Sequence, residues 1–425
     1  MMARPERRER AGQGEQGVSV TETGEPRRVF YAASVHGESE IEAVVDVLRD
    51  PRGLWVGRRV GAMERAVAAL FGKQSGVMVN SGSSALYLAI ELLGAQPGDE
   101  IIGSAVTFST DISPIVRAGL VPVFVDVEPE TYVVDIGGIE AMITDRTRAL
   151  LIPNLIGNVP DWDAIRQIAD RHGLLVIEDS CDALGATLRG TPTGTRADLS
   201  VTSFASSHII TCAGGGGMLL LDDEEQRDRA LLLRRWGRRS ELHFFGSKRR
   251  DHDFWEDLDG IHYDNQFIFD ELAWNFEPSE LGAAFGLEQL KKLPDNHARR
   301  QRNFGLYTEF FRRHDDVFVL PRHLPEVDTA WLCYPLTIRP DAGFERAALQ
   351  LYLDQHGVDT RTIWTGNATR QPMLRGVTVR SPAGGLPIAD QIMEFGFVLP
   401  SNHGMSDDDV TFVTDRVEDF LEGRP

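Results

Sequence analysis

The chain has 425 residues, enough for two domains and a large core. With 42% hydrophobic and 25% charged residues it has the balance of a soluble globular protein. Its net charge of −20 argues against nucleic acid or an anionic membrane as a main partner. Cys181, Cys212 and Cys333 are widely spaced without a pairing pattern. No apolar run reaches membrane-spanning length, and residues 1–28 lack the apolar block of a signal peptide. Together these point to a reducing cytoplasm.

Residues 1–28, rich in Arg, Glu and Gly, are expected to form a disordered tail. Ser39-Glu-Ile-Glu42 reads as a capping box opening a helix through Leu48. A loop over Asp50–Val60, with Pro51, Gly53, Gly57 and Trp55, precedes a helix from about Met63 to Phe71. From there short apolar strands alternate with helices. Val77–Val79 leads through Asn80-Ser-Gly-Ser-Ser84 into a helix over Ala85–Leu93. Ile101–Ile102 leads through Val106-Thr-Phe-Ser-Thr110 into another. Val123–Val127 and Ala149–Pro153 are strands, with Ile139–Ile143 on a short helix between them. The helix Trp162–His172 follows, and then a strand ending in Glu178-Asp-Ser-Cys-Asp182. This alternation predicts an α/β fold, a mostly parallel sheet with helices on both faces.

The strands Leu199–Phe204 and Met218–Leu221 flank a turn carrying His208 and four consecutive glycines, where positive φ and close backbone approach are permitted. An Arg-rich helix and a charged, aromatic loop, about Arg238 to Asp270, come next. Trp274-Asn-Phe-Glu-Pro-Ser-Glu280 leads into the helix Leu281–Leu293. Beyond Asn303 the pattern becomes a smaller α+β unit with a strand at Trp331–Ile338, a helix at Phe344–His356, and a final helix capped by Ser406. The division expected is therefore a large domain over 29–300 and a small C-terminal domain over 301–425.

In a doubly wound sheet, ligands bind beyond the C-terminal strand ends. Asn80–Ser84 places small residues and hydroxyls at a helix N-terminus, which suits a phosphate and equally suits plain capping. Asp179 ends an apolar strand and needs a partner such as a protonated ring nitrogen, or is a satisfied structural acid. Ser203 and His208 complete an order of groups able to hold pyridoxal phosphate.

On these residues the chain resembles the sugar aminotransferase family of fold type I pyridoxal-phosphate enzymes, the DegT/DnrJ/EryC1/StrS group. The resemblance covers about Phe30 to Leu421. It implies a seven-stranded, mostly parallel sheet in the large domain. Ala105–Thr110, Gly119–Val127, Glu178–Gly185 and Gly366-Asn-Ala-Thr-Arg-Gln-Pro372 are most similar to the nucleotide-sugar 3-dehydratases. The resemblance implies that Gly82, Ser83 and Ser203 bind the cofactor phosphate, Phe108 stacks on the ring and Asp179 keeps the ring nitrogen protonated. Asp182 stands beside the ring hydroxyl, where aminotransferases carry Gln. Asn275 corresponds to a residue reaching the neighbouring subunit's phosphate, which implies a homodimer with shared active sites. Arg370 and Gln371 either touch substrate or brace the two domains.

His208 stands where the aminotransferases have the lysine that anchors the cofactor covalently. The chain's lysines are Lys73, Lys248, Lys291 and Lys292, none an obvious substitute. The resemblance therefore implies non-covalent pyridoxamine or pyridoxal 5'-phosphate, with His208 as the general base. The implied reaction removes the C3 hydroxyl of a nucleotide-linked 4-keto-6-deoxyhexose, and L-glutamate regenerates the amine. Cluster-bearing relatives hold an iron–sulfur centre on four cysteines. Three cannot supply them, and Trp236–Leu242 contains none, so no metal is expected. Thr211-Cys-Ala-Gly-Gly-Gly216 departs from the family's Thr-x-Gly-Glu-Gly-Gly, and Ala205-Ser-Ser-His208 from its aromatic-Pro-Ala-His. Another elimination or aminotransfer on a nucleotide sugar or aminosugar, or a non-catalytic cofactor-binding protein, are the other readings.

Overall fold

The computed structural model describes residues 27–249 and 255–423. The expected tail over 1–28 lies outside them except for its last two residues. These are tied down: Arg27 pairs with Asp409 at 2.6 Å and Arg28 with Asp354 at 2.5 Å, and Val29 bridges to Val358.

Seven strands build the main sheet: β1 (Ser75–Val79), β2 (Glu100–Ser104), β3 (Val121–Val125), β4 (Thr147–Pro153), β5 (Leu175–Asp179), β6 (Leu199–Ser203) and β7 (Gly217–Leu221). Their order is β1-β7-β6-β5-β4-β2-β3. β7 pairs antiparallel with β1 and β6, and the remaining pairs are parallel. The expected mostly parallel seven-stranded sheet is thus the observed one. Because both faces are covered, β6 and β7 are buried along their whole length. Each fully buried aliphatic side chain there contributes roughly 1.5–3 kcal/mol, so the sheet interior holds the strand ends in fixed register.

The first helix, Glu38–Arg49, corrects the expected cap. Gly37 is its N-cap and Glu40, rather than Glu42, reaches back to the Gly37 amide at 2.9 Å, so Ser39 lies inside the helix. Gly37 offers no capping side chain, so tertiary contacts override the local pattern. Glu40 is buried and also receives Lys292 Nζ at 2.5 Å and Gln289 Nε2 at 2.7 Å. The second helix starts at Arg58, earlier than expected. The expected strand over Trp331–Ile338 begins only at Tyr334, because the preceding turn closes on Gly157, with the Leu332 amide donating to the Ile156 carbonyl at 2.8 Å. A Cβ on Gly157, whose φ is +91°, would stand 3.0 Å from Trp331 Cα and Leu332 N.

The loop after Arg238 is more ordered than expected, with a short helix at Glu241–Phe244 and an antiparallel hairpin, Trp255–Leu258 with Ile261–Asp264. A continuous helix, Leu293–Phe311, leads from the sheet unit into a four-stranded antiparallel sheet containing Tyr334–Ile338, Arg361–Thr362 and Gly396–Leu399. Among the described residues no helix is long and apolar enough to cross a membrane.

Candidate active site

The C-terminal ends of β1, β4, β5 and β6, with the turn beyond β2, border a cleft of about 470 Å³. Gly82, Ser83, Phe108, Asp179, Asp182, Ser203 and His208 all line it. Seven residues expected from the sequence, spread over 127 positions, are therefore brought to one site by the sheet.

At one end, Ser81 caps the helix Gly82–Leu92, its hydroxyl accepting the Ser84 amide at 3.1 Å, while its carbonyl takes the Ala85 amide at 3.2 Å. The Gly82 and Ser83 amides then open the helix beside the Ser203 hydroxyl, an arrangement suited to a phosphate. Glycine is required at this crossing. A Cβ on Gly82 would lie 2.7 Å from Ser203 Cβ and 2.9 Å from Cys181 Sγ, and one on Gly217 would lie 2.3 Å from the Ser81 carbonyl carbon. Any side chain at Gly82 would therefore collide with Ser203 and Cys181 and displace this turn.

At the other end stand the acids. Alternation along β5 sends Glu178 away from the cleft, where Asn154, Ser180 and Ser200 satisfy it, and turns Asp179 toward it. Asp179 accepts the Cys181 amide at 2.9 Å and is 7% exposed. Asp182 accepts the Ile156 amide at 2.9 Å. Burial, and then the charge of Asp179, push the Asp182 carboxyl up to about 7. Phe108, more than half exposed, presents its ring over the same space.

His208 is delivered by the turn after β6. Its amide donates to the Ala205 carbonyl at 3.1 Å, and the turn closes behind it through Thr211 Oγ1 to the Phe204 carbonyl at 2.9 Å. Gly216, at φ +136°, leaves room for Phe204 and Cys212. Cys212 packs so close to Gly286 that a Cβ there would sit 2.4 Å from its sulfur, so the altered Thr-Cys-Ala-Gly turn is fitted to this fold. The His208 Nε2 lies 3.9 Å from Asp182 Oδ1, its Nδ1 is buried, and the Ser203 backbone is its hydrogen-bonding neighbour. Burial pushes the imidazole pKa below its usual value, which favours the neutral ring a base requires.

No lysine lines the cleft. Lys73 is buried at the opposite end of β1, with Nζ on the Ala197 carbonyl at 2.5 Å and Asp222 at 2.8 Å. Lys291 pairs with Glu288 and Lys292 with Glu40. Lys248 lies on the exposed segment before the hairpin.

Three expected residues lie elsewhere. Arg370 pairs with Asp390, Nη2 to Oδ2 at 2.6 Å, and Gln371 Nε2 donates to the Thr365 carbonyl at 2.7 Å, so both secure the C-terminal unit. Asn275 is exposed outside the cleft and bridges to Arg235. Tyr31, Asp111, Arg361, Thr362 and Trp364 line the cleft and were not anticipated. Arg361 sits just before the Gly366–Pro372 segment and is the one with a readable signal, a cation beside a motif. Tyr31, 5.5 Å beneath the Arg361 guanidinium, reaches the cleft from the N-terminal segment through tertiary folding alone.

A helix N-terminus beside a serine hydroxyl, buried acids, an aromatic ring and a histidine in one cleft at the strand ends match the fold type I class of pyridoxal-phosphate proteins, and the residues present fit that cofactor. The chain belongs to the DegT/DnrJ/EryC1/StrS aminotransferase family, whose pattern matches residues 35–418. It is 35% identical over 401 residues to a dTDP-4-dehydro-2,6-dideoxy-D-glucose 3-dehydratase of Saccharopolyspora spinosa, covering 92% of this chain and 86% of that protein. Among solved structures it superposes, at a TM-score of 0.81 and 28% identity, on the E. coli GDP-4-keto-6-deoxy-D-mannose-3-dehydratase with bound hydrated PLP. That match covers 92% of this chain and 99% of the other. A GDP-4-keto-6-deoxymannose-3-dehydratase with a trapped PLP-glutamate geminal diamine matches equally well, at 0.81 and 28%, over 91% and 99% of the two chains.

Proposed function

We propose that this protein is a pyridoxamine-phosphate-dependent nucleotide-sugar 3-dehydratase that removes the C3 hydroxyl of a nucleotide-linked 4-keto-6-deoxyhexose. The observation carrying this reading is His208 on the wall of a cleft that suits the cofactor and that no lysine lines. Pyridoxamine phosphate supplies, when bound, a primary amine and an electron-accepting ring. The Gly82 and Ser83 amides and the Ser203 hydroxyl bind its phosphate, Asp179 holds the proton on the ring nitrogen, Phe108 covers the ring, and Asp182 faces the ring hydroxyl. His208 removes a proton as a neutral imidazole and delivers it to the departing C3 oxygen. An imidazole shuttles protons without capturing the ketone, as a lysine amine would. Arg361, on the cleft wall, holds an anionic group of the sugar nucleotide or of glutamate.

The 3-dehydratases named above act on dTDP and GDP sugars, so both nucleotides are candidate substrates. L-Glutamate is the amino donor in this reading, supported by the PLP-glutamate adduct seen in a structural neighbour. We divide the chain into a cofactor-binding domain over 29–300 and a C-terminal domain over 301–425, the latter contributing Arg361, Thr362 and Trp364. A second copy covers the exposed apolar surface of Phe267, Phe269 and the fully exposed Leu272, bringing Asn275 to its partner's phosphate site. The half-reaction tests the cofactor assignment. Protein loaded with pyridoxal phosphate and given L-glutamate is expected to convert it to pyridoxamine phosphate with equimolar 2-oxoglutarate, read from the absorption spectrum. A spectrum unchanged by glutamate overturns the donor assignment.

A further inference from the structure

Asp111 is a carboxyl on the cleft wall that the proposed reaction does not use. It lies in the first turn of the helix Ser109–Arg117 and is 4% exposed. The Thr107 hydroxyl donates to its Oδ2, whereas Oδ1 is buried and receives no donor among the described residues. Asp111 and Asp179 line the same cleft, and the Asp179 carboxyl acts on Asp111 through its charge and as a hydrogen-bonding neighbour. Two carboxylates in contact cannot both stay ionised in a buried site, so a proton lies between them.

The surroundings decide where that proton resides. Asp179 accepts the Cys181 amide at 2.9 Å, whereas no donor reaches the buried Oδ1 of Asp111 among the described residues. Asp111 is pushed well above the ordinary carboxylate range by burial first and by the Asp179 charge second, with Asp182 adding to both. The Thr107 hydroxyl and the helix N-terminus favour its anion and are outweighed. The remaining titratable neighbour, the Cys181 thiol, is itself raised by burial and by the Asp179 charge, and adds no negative charge.

We propose that Asp111 is a positioning residue that remains protonated and donates a hydrogen bond to Asp179, fixing that carboxylate toward the ring nitrogen of the bound cofactor. Its purpose rests on the cofactor reading above; its proton is a property of the protein alone. One acid then serves as the anion and the other as its orienting donor, so the ring nitrogen meets a single, fixed negative charge.

Infrared spectroscopy of the cofactor-free protein at neutral pH tests the proton directly. The carbonyl stretch of a protonated carboxyl is expected in the wild type and absent in Asp111→Asn, while any contribution from Asp182 persists in the variant and titrates away near 7. A spectrum that Asp111→Asn leaves unchanged overturns the proposal. Pyridoxamine-phosphate affinity tests the positioning. Asn donates a hydrogen bond as the acid does, so Asp111→Asn is expected to bind within about threefold of wild type, and Asp111→Val about tenfold or more weaker. Equal losses in both variants overturn it. If Asp111→Val does not fold, the Asn variant and the infrared band decide. If the wild type itself binds no cofactor, the cofactor reading fails while the infrared result still settles the proton.

Discussion

Replacing Asp182 with Asn separates the electrostatic cost of the cleft from its chemistry. The Asp182 carboxyl is 7% exposed, and burial followed by the charge of Asp179 raises it to about 7, against the opposing hydrogen bond from the Ile156 amide. A carboxyl raised in the folded state binds its proton more tightly there than in the unfolded chain, where its value is about 3.9. Its full contribution is therefore present below about pH 4 and is lost as pH climbs through 7. A shift of about three pK units corresponds to about 4 kcal/mol, of which roughly 2 kcal/mol develops between about pH 5.5 and pH 8. Asn retains an oxygen for the Ile156 amide and does not titrate. For a chain of this length, about 2 kcal/mol corresponds to about 2 °C in melting temperature. Thermal unfolding of the cofactor-free wild type and Asp182→Asn at the two pH values should show the variant gaining by that amount on the alkaline side. A difference between the two proteins that stays constant, or moves the other way with pH, refutes the reasoning.

Four further outcomes follow from the same geometry. Gly82→Ala drives a Cβ to 2.7 Å from Ser203 Cβ, so the phosphate turn must move, and pyridoxamine-phosphate affinity should fall about tenfold or more in a fluorescence titration. His208→Gln should bind the cofactor normally yet lose about 100-fold or more in turnover. Because burial lowers the His208 pKa, the acid limb of the wild-type kcat/KM profile should fall below the usual imidazole range. Arg361→Gln should raise the KM for the sugar nucleotide or for glutamate by about tenfold with a smaller change in kcat, and which of the two moves identifies its anion.

Groups at strand ends were legible in the sequence, because alternation along a strand sets where its last side chain points and the small-residue turn beyond it opens at the same edge of the sheet. Asp179, Ser203, His208 and the Asn80–Ser84 turn are of this kind, and the parallel sheet gathers them without further information. Groups reaching the cleft across long sequence distances were not legible. Tyr31 arrives from the N-terminal segment and Trp364 from the C-terminal unit, and Asp111 reads in the sequence as an ordinary acid favouring a helix N-terminus. Its contact with Asp179, 68 positions later, exists only once β2 and β5 are assembled in one sheet. The same limit explains the helix caps. The local pattern favours Ser39–Glu42, since Gly37 has no capping side chain, yet Lys292 and Gln289, both brought by the helices near residue 290, hold Glu40 and select the Gly37 start.

The central claim, dehydration at C3 with His208 in place of lysine, is tested most directly by mass. Purified protein would be incubated with pyridoxamine phosphate, L-glutamate and a panel of dTDP- and GDP-linked 4-keto-6-deoxyhexoses, without any reductase, and the sugars analysed by mass spectrometry. Loss of one oxygen from the sugar, with ammonia and 2-oxoglutarate released in step, is the predicted result. A sugar whose ketone has become an amine while C3 keeps its hydroxyl would contradict it and make the protein an aminotransferase despite His208.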